Sequence, residues 1–357
     1  MERVTIKEVA EAAGVGVATV SRVLSGGSAS PETRERVLAV AAQLDYRPSA
    51  LGRNLRQRRT GGMGLLVPDL TDTFYGRLAE GVLSCARTAG EPVMVGSTGG
   101  DPEQEAELIG MLLEQSVDRV IAVPAGGPDA WAPAIRSGMT VVFADRLPGE
   151  PASEDSEDSE SGYDEPLDEL EALDGLPRRA RTPAAPDLPA VLADDRAGIR
   201  TAVRYLRGLG HREIAFLGNT GHASRVAAFR EATDDGLVVL AEVSRDAAYA
   251  AASGLFQSNP DVTAVLAGGN VLGEAAVLAA RELDLRIPRD LSLIMFDDVP
   301  WAELCAPPLT VISQPARDLG YRAAELVLRA DGRRRPRSVL LPTELIIRGS
   351  CGPRLKK

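Results

Sequence analysis

From Met63 to Phe296 short apolar runs alternate with longer stretches of helical period, and this alternation constrains the fold more than any other feature. Met63-Gly64-Leu65-Leu66-Val67-Pro68 and residues 92–96, 119–123, 140–144, 213–218, 264–267 and 291–296 read as strands. Residues 75–89, 103–115, 198–209 and 272–283 read as helices between them. Strands that alternate with helices form parallel sheets covered on both faces. A chain of 357 residues is long enough for two or three domains, each with its own core. The expected body is therefore α/β and two-lobed.

The residues before that body follow a different pattern. Ile6, Val9, Ala10 and Ala13 recur at i, i+3, i+4 and i+7, the period of a helix. Thr5 with Glu8 three residues on is a capping box. Gly14-Val15-Gly16 interrupts, Val17-Ala18-Thr19-Val20-Ser21-Arg22-Val23-Leu24 resumes with Val20, Val23 and Leu24 on one face, and a third helix spans 31–44. Two short helices across a glycine turn make a helix-turn-helix, whose second helix fits the major groove. Val17 and Ala18 are short enough to meet thymine methyls, Arg22 can bridge a guanine edge, and Thr19 and Ser21 suit phosphate oxygens. The alternative is a small three-helix domain with a polar surface.

Charge is unevenly distributed. The net charge is −11, yet residues 1–60 carry ten Lys/Arg against six Asp/Glu. Residues 149–190 carry thirteen acids and three arginines. Local charge decides whether a surface attracts phosphate, so the acidic total does not exclude DNA.

Thr5-Ile6-Lys7-Glu8-Val9-Ala10 through Val23-Leu24 resembles the head-piece of the LacI/GalR family of bacterial transcription regulators. Gly208-Leu209-Gly210-His211-Arg212-Glu213-Ile214, Arg286-Ile287-Pro288-Arg289-Asp290-Leu291 through Pro300, Pro307-Pro308-Leu309-Thr310 and Gln314-Pro315 extend the likeness over nearly the whole chain outside 149–189. The resemblance implies an all-α helix-turn-helix head-piece (1–47) and a hinge helix (48–60). It further implies a periplasmic-binding-protein-like α/β effector domain of two lobes. The first lobe is expected at 61–148, completed by about 300–322, and the second at 190–299, completed by about 323–348. Thr5, Val17, Ala18, Thr19, Ser21 and Arg22 would contact DNA. Leu55 matches a wedge leucine that enters the minor groove, flanked by Arg53 and Arg56; such a wedge unstacks a base step at a cost of a few kcal/mol. Gly16 stands where serine is usual, a modest loss in a cap.

The resemblance also places an effector between the lobes. Phe74, Tyr75, Arg146, Arg225, Asn270 and Asp297 are the candidates. An aromatic can stack on a ring, a guanidinium offers a fork of donors, and a carboxylate suits vicinal hydroxyls. Gly268-Gly269-Asn270 departs from the usual Asn-Asp pair, and the stretch from Arg225 to Tyr249 is several residues shorter than usual. The implied function is a DNA-binding regulator, expected to be a repressor, controlled by a sugar-like effector and acting as a homodimer on a near-palindromic operator. No heptad tail follows Ile346-Ile347, which favours a dimer over a tetramer. A regulator without effector response and a solute receptor with the same body are the other readings.

Other classes lack support. No nucleophile–base pair, phosphate loop or metal spacing is present, so neither catalysis nor a cofactor or metal is expected. Cys85, Cys305 and Cys351 are too scattered for a disulfide framework, and with no apolar leader the expected location is the cytoplasm. No apolar run reaches the roughly 18 residues of a membrane span. His211 is expected in a structural hydrogen bond, His222 in an exposed loop, and the basic run 333–337 in solvent. Residues 149–189 bury too little apolar area to order, and are either a tolerated insertion or an internal mimic of DNA that competes for the head-piece.

Overall fold

A computed structural model describes residues 4–24, 27–46, 62–149, 188–219, 221, 223–234, 236–242, 244–330 and 337–354. The hinge at 48–60, the acidic stretch 150–187, His222 and the arginines at 333–335 lie outside the described residues. The chain divides into two compact units, 1–61 and 62–357.

The first unit holds three helices, α1 (Ile6–Ala12), α2 (Val17–Leu24) and α3 (Pro31–Gln43). Glu8 accepts from the Thr5 amide at 2.6 Å and from its hydroxyl at 2.9 Å, so the capping box forms. Gly14 takes a left-handed φ of 64° between α1 and α2, where a side chain would be strained. Ser30 caps α3 by accepting from the Thr33 amide, with Pro31 in the first turn. Val9, Val20, Val23 and Val37 are the buried centre on which the three helices meet.

The second unit contains two six-stranded sheets. Its elements begin β1 (Met63–Val67), α4 (Thr73–Ala89), β2 (Val93–Ser97), α5 (Pro102–Glu114), β3 (Arg119–Ala122), α6 (Pro128–Arg136), β4 (Thr140–Ala144) and β5 (Ala190–Ala193). There follow α7 (Asp195–Gly208), β6 (Ile214–Asn219), α8 (Ala223–Thr233), β7 (Val238–Ala241), α9 (Arg245–Ser258), β8 (Ala264–Ala267), α10 (Asn270–Glu282) and β9 (Ser292–Phe296). The chain closes with α11 (Pro300–Leu304), β10 (Thr310–Ser313), α12 (Ala316–Arg329), β11 (Val339–Leu341) and β12 (Glu344–Ile346). The first sheet runs β11-β5-β4-β3-β1-β2 and is parallel throughout. The second runs β12-β10-β9-β8-β6-β7, with only β12 antiparallel. Every residue of β1, β8 and β9 is buried, which is why these strands read as unbroken apolar runs rather than as alternating ones.

The lobe boundaries differ from those expected. Ala190–Ala193 pairs with β4 and belongs to the first lobe, so the crossing comes at Asp194. Thr310–Ser313 pairs with β9 in the second sheet instead of completing the first. Ala316–Arg329 then packs against α4, returning the chain to the first lobe, and β11 and β12 divide between the two sheets. An apolar run announces a strand without saying which sheet accepts it. The α4–α12 seam is close: a Cβ on Gly81 would lie 2.0 Å from the Arg317 carbonyl oxygen, and one on Gly320 would lie 1.9 Å from that of Leu78. No described helix is long and apolar enough to cross a membrane.

Candidate functional site

The head-piece presents one face of α2. Val20 and Val23 are buried, whereas Ala18 and Arg22, one turn apart, are exposed. Val17, Thr19 and Ser21 flank that stripe and are half-buried, Val17 against the head-piece core. The Gly16 carbonyl accepts from the Thr19 and Val20 amides at 2.8 and 3.1 Å, so α2 starts cleanly without a side-chain cap. Thr5 is exposed at the start of α1. Arg53, Leu55 and Arg56 lie outside the described residues.

The second unit holds a cavity of about 870 Å³ between its lobes. Phe74, Tyr75, Arg146, Arg225, Asn270 and Asp297 all line it. The wall is built at the carboxyl ends of strands, where ligands of open α/β sheets bind. Asp72 ends the loop after β1 and caps α4, accepting from the Phe74 amide at 2.8 Å. Phe74 turns into the first-lobe core and meets the Tyr75 ring edge-on at 5.2 Å. Arg146 Nη2 donates to the Tyr75 hydroxyl at 2.5 Å and its Nε lies 3.4 Å from Asp145 Oδ2. Burial holds the Tyr75 phenol neutral, well above its ordinary range.

Arg225 extends from α8 and is almost wholly buried. Its Nε donates to Asp195 Oδ2 at 2.7 Å and its Nη1 to the Gly268 carbonyl at 2.5 Å, while Nη2 lies 3.9 Å from Asp145 Oδ1. The guanidinium carbon sits 4.2 Å from the centre of the Phe296 ring. Burial opposes the charge, but Asp195, Asp145 and Asp297 hold the guanidinium protonated above its usual range. The residue thus ties the carboxyl ends of three strands together while it faces the cavity.

Asp297 follows β9 with φ of 75°, and Asp145 follows β4 with φ of 69°, a backbone region that Asp tolerates better than most residues. Gln314 Nε2 donates to Asp297 Oδ1 at 2.8 Å. Asn270 Nδ2 lies 3.4 Å from Asp297 Oδ2, and 3.0 and 3.1 Å from the two oxygens of Asp72. The neutral residue at 270 therefore serves as a donor between two carboxylates. Burial pushes the Asp297 carboxyl up to about 6, and burial likewise raises that of Asp72.

Asp72, Asp145, Asp195 and Gln314 were not among the sequence candidates. Asp72 had a legible signal, an acidic cap between a strand and a helix. The others depend on which strand ends come together, which the sequence does not reveal. His211 is bonded to Thr263 Oγ1 at 2.9 Å and to the Gly352 carbonyl at 3.0 Å, a structural tie to the last described segment of the chain.

Two family profiles match this layout. Residues 5–49 match bacterial regulatory proteins of the lacI family, and 203–351 match the periplasmic binding protein-like domain. The regulator DegA of Bacillus subtilis is 31% identical over 98% of this chain and 99% of its own. The chain belongs to the LacI family. A second relative, the ribose operon repressor of Bacillus subtilis, is 32% identical over 91% of this chain and 90% of its own. Among LacI-family structures, the lac repressor dimer bound to operator and an anti-inducer superposes with a TM-score of 0.79 at 23% identity, over 98% and 99% of the two chains. The regulator CelR in complex with cellobiose superposes with a TM-score of 0.65 at 27% identity, over 98% and 100%. The LacI-family head-piece and two-sheet body are thus both present in this chain.

Proposed function

We propose that this LacI-family chain is a transcriptional repressor whose hold on a near-palindromic operator is set by a small, sugar-like molecule in the interlobe cleft. The observation that carries the reading is the cavity of about 870 Å³, lined from both lobes, in the same chain as an α2 helix with an exposed Ala18–Arg22 stripe. A ribose operon repressor and a cellobiose-bound regulator among the relatives support a sugar-like effector. In this reading two chains pair by a twofold axis and place two head-pieces on two half-sites. Val17, Ala18 and Arg22 read base edges, and Thr5, Thr19 and Ser21 hold phosphates. Leu55 wedges the minor groove between Arg53 and Arg56. Phe74, Tyr75, Arg146, Arg225, Asn270 and Asp297 contact or position the effector. An effector acts only through its different affinity for the two lobe arrangements.

The test is selection of bound duplexes from a random pool with full-length protein at moderate salt. A motif of about 14–20 bp with two related half-sites is expected. Enrichment of no motif overturns the reading. The selected operator then reports effectors by release.

A further inference from the structure

The effector reading leaves the charge of the molecule open, and the cleft itself constrains it. Among the described residues its wall carries six carboxylates against three guanidiniums. Each guanidinium is already engaged with the protein. Arg225 is held by Asp195 and the Gly268 carbonyl, Arg146 by Tyr75 and Asp145, and Arg245 Nη1 donates to Glu274 Oε1 at 3.1 Å. Asp72 and Asp297 are not matched in the same way. Neither has an Arg or Lys within ion-pair distance among the described residues; their shared donor is the neutral Asn270 amide.

A phosphate or carboxylate entering this wall would meet an excess of negative charge, with both buried guanidiniums among the described residues already bonded to the protein. A hydroxyl supplies one donor. An ammonium supplies three donors and a full positive charge, which two partly desolvated carboxylates favour most. Burial raises both carboxyls, and at Asp297 it does so even against the field of the nearby Arg225 guanidinium. The rings of Tyr75 and Trp301 line the same cavity, and aromatic faces attract cations.

Resting on the effector reading above, we propose that the cleft takes an amine-bearing sugar or polyol, with its ammonium seated between Asp72 and Asp297 beside the Asn270 amide. The ligand is donor-rich and carries no net negative charge. Asp72 and Asp297 are the residues that select it, and Asn270 holds them in place.

The test uses full-length protein and three matched series: glucosamine, galactosamine and mannosamine, their parent sugars, and the corresponding uronates. Thermal shift and calorimetry are read on wild type and on Asp72→Asn, which keeps the α4 cap because Asn caps a helix as well as Asp does. The expected result is binding of an amine about tenfold tighter than its parent sugar, no binding of the uronate, and loss of the amine's advantage in Asp72→Asn. A parent sugar that binds as tightly as its amine, a uronate that binds, or an advantage that survives Asp72→Asn overturns the proposal. If a parent sugar or uronate releases the operator, the amine is wrong and the effector reading stands. If no member of any series acts, the amine proposal falls. If a total metabolite extract then also fails to release the operator, the effector reading falls with it.

Discussion

Asn270 bridges the cleft to Asp72: its side-chain nitrogen lies 3.0 and 3.1 Å from the two carboxylate oxygens, joining the first turn of α10 to the cap of α4. One neutral amide therefore links the lobes at a point where an acid would repel both neighbours. Replacing it with the aspartate usual in the family would set three carboxylates together.

Asn270→Asp is expected to lower the melting temperature at pH 7, by an amount corresponding to about 1.5–3 kcal/mol, the worth of a hydrogen bond to a charged group. The deficit should shrink by pH 5, because clustered carboxylates take up a proton more readily. Scanning calorimetry at the two pH values checks this. An equal deficit at both would mean that the loss is not electrostatic.

Asp297 should mark the stability of the body with a pH dependence. Its carboxyl is raised by burial from 3.8 to about 6. A folded-state value above the unfolded one means that the folded chain binds more protons between the two. The contribution of Asp297 is then most favourable below about 4 and is lost as pH rises through 6, at a cost on the order of 3 kcal/mol above that. Asp297→Asn removes the titrating group, keeps an oxygen for Gln314 and tolerates the left-handed backbone. The variant is expected to be more stable than wild type at pH 7–8 and to flatten the slope between pH 4 and 6 in urea titrations.

The seam between α4 and α12 predicts a contrast between two glycines. Gly320→Ala drives a methyl into the Leu78 carbonyl and should destabilise by about 1–3 kcal/mol or more, because neither helix backbone can yield locally. Gly110→Ala, inside α5 with nothing within 4 Å, should stabilise by about 0.5–1 kcal/mol. Urea midpoints of the two variants test the geometry with opposite signs.

Arg22→Ala should reduce affinity for the selected operator by about 1–3 kcal/mol and relax base preference at one position of each half-site. A repeat of the duplex selection with the variant reads both effects. Unaltered preference would move base reading away from the exposed face of α2.

The sequence carried the elements better than their assembly. Thr5 and Glu8 announced the first helix, and seven apolar runs announced strands found within one or two residues of those positions. These are local signals, because burial on both faces leaves a continuous run. Helix α6 was hidden by Pro128 and Pro133, which argue against a helix unless one of them falls in its first turn. Strands β5 and β7 lie at or next to a sheet edge and are only partly buried, so their four residues each carry a weaker apolar signal than the equally short β8. All six cleft candidates face one cavity, yet the partners that define their chemistry were not legible. Arg225 is matched to Asp195, thirty residues earlier, and Asn270 to Asp72, nearly two hundred earlier. Such pairings follow from the order of strands in two sheets, and no local pattern encodes that order.

The interleaving of the two sheets also sets a timetable for synthesis. The head-piece is complete within the first few dozen residues, but α4 waits for α12, and β5 waits for β11. At roughly 5–20 residues per second, the face of α4 that will bear on α12 stays uncovered for some tens of seconds on the ribosome. A nascent chain of this protein therefore carries a finished DNA-reading module long before it has a body able to respond to anything.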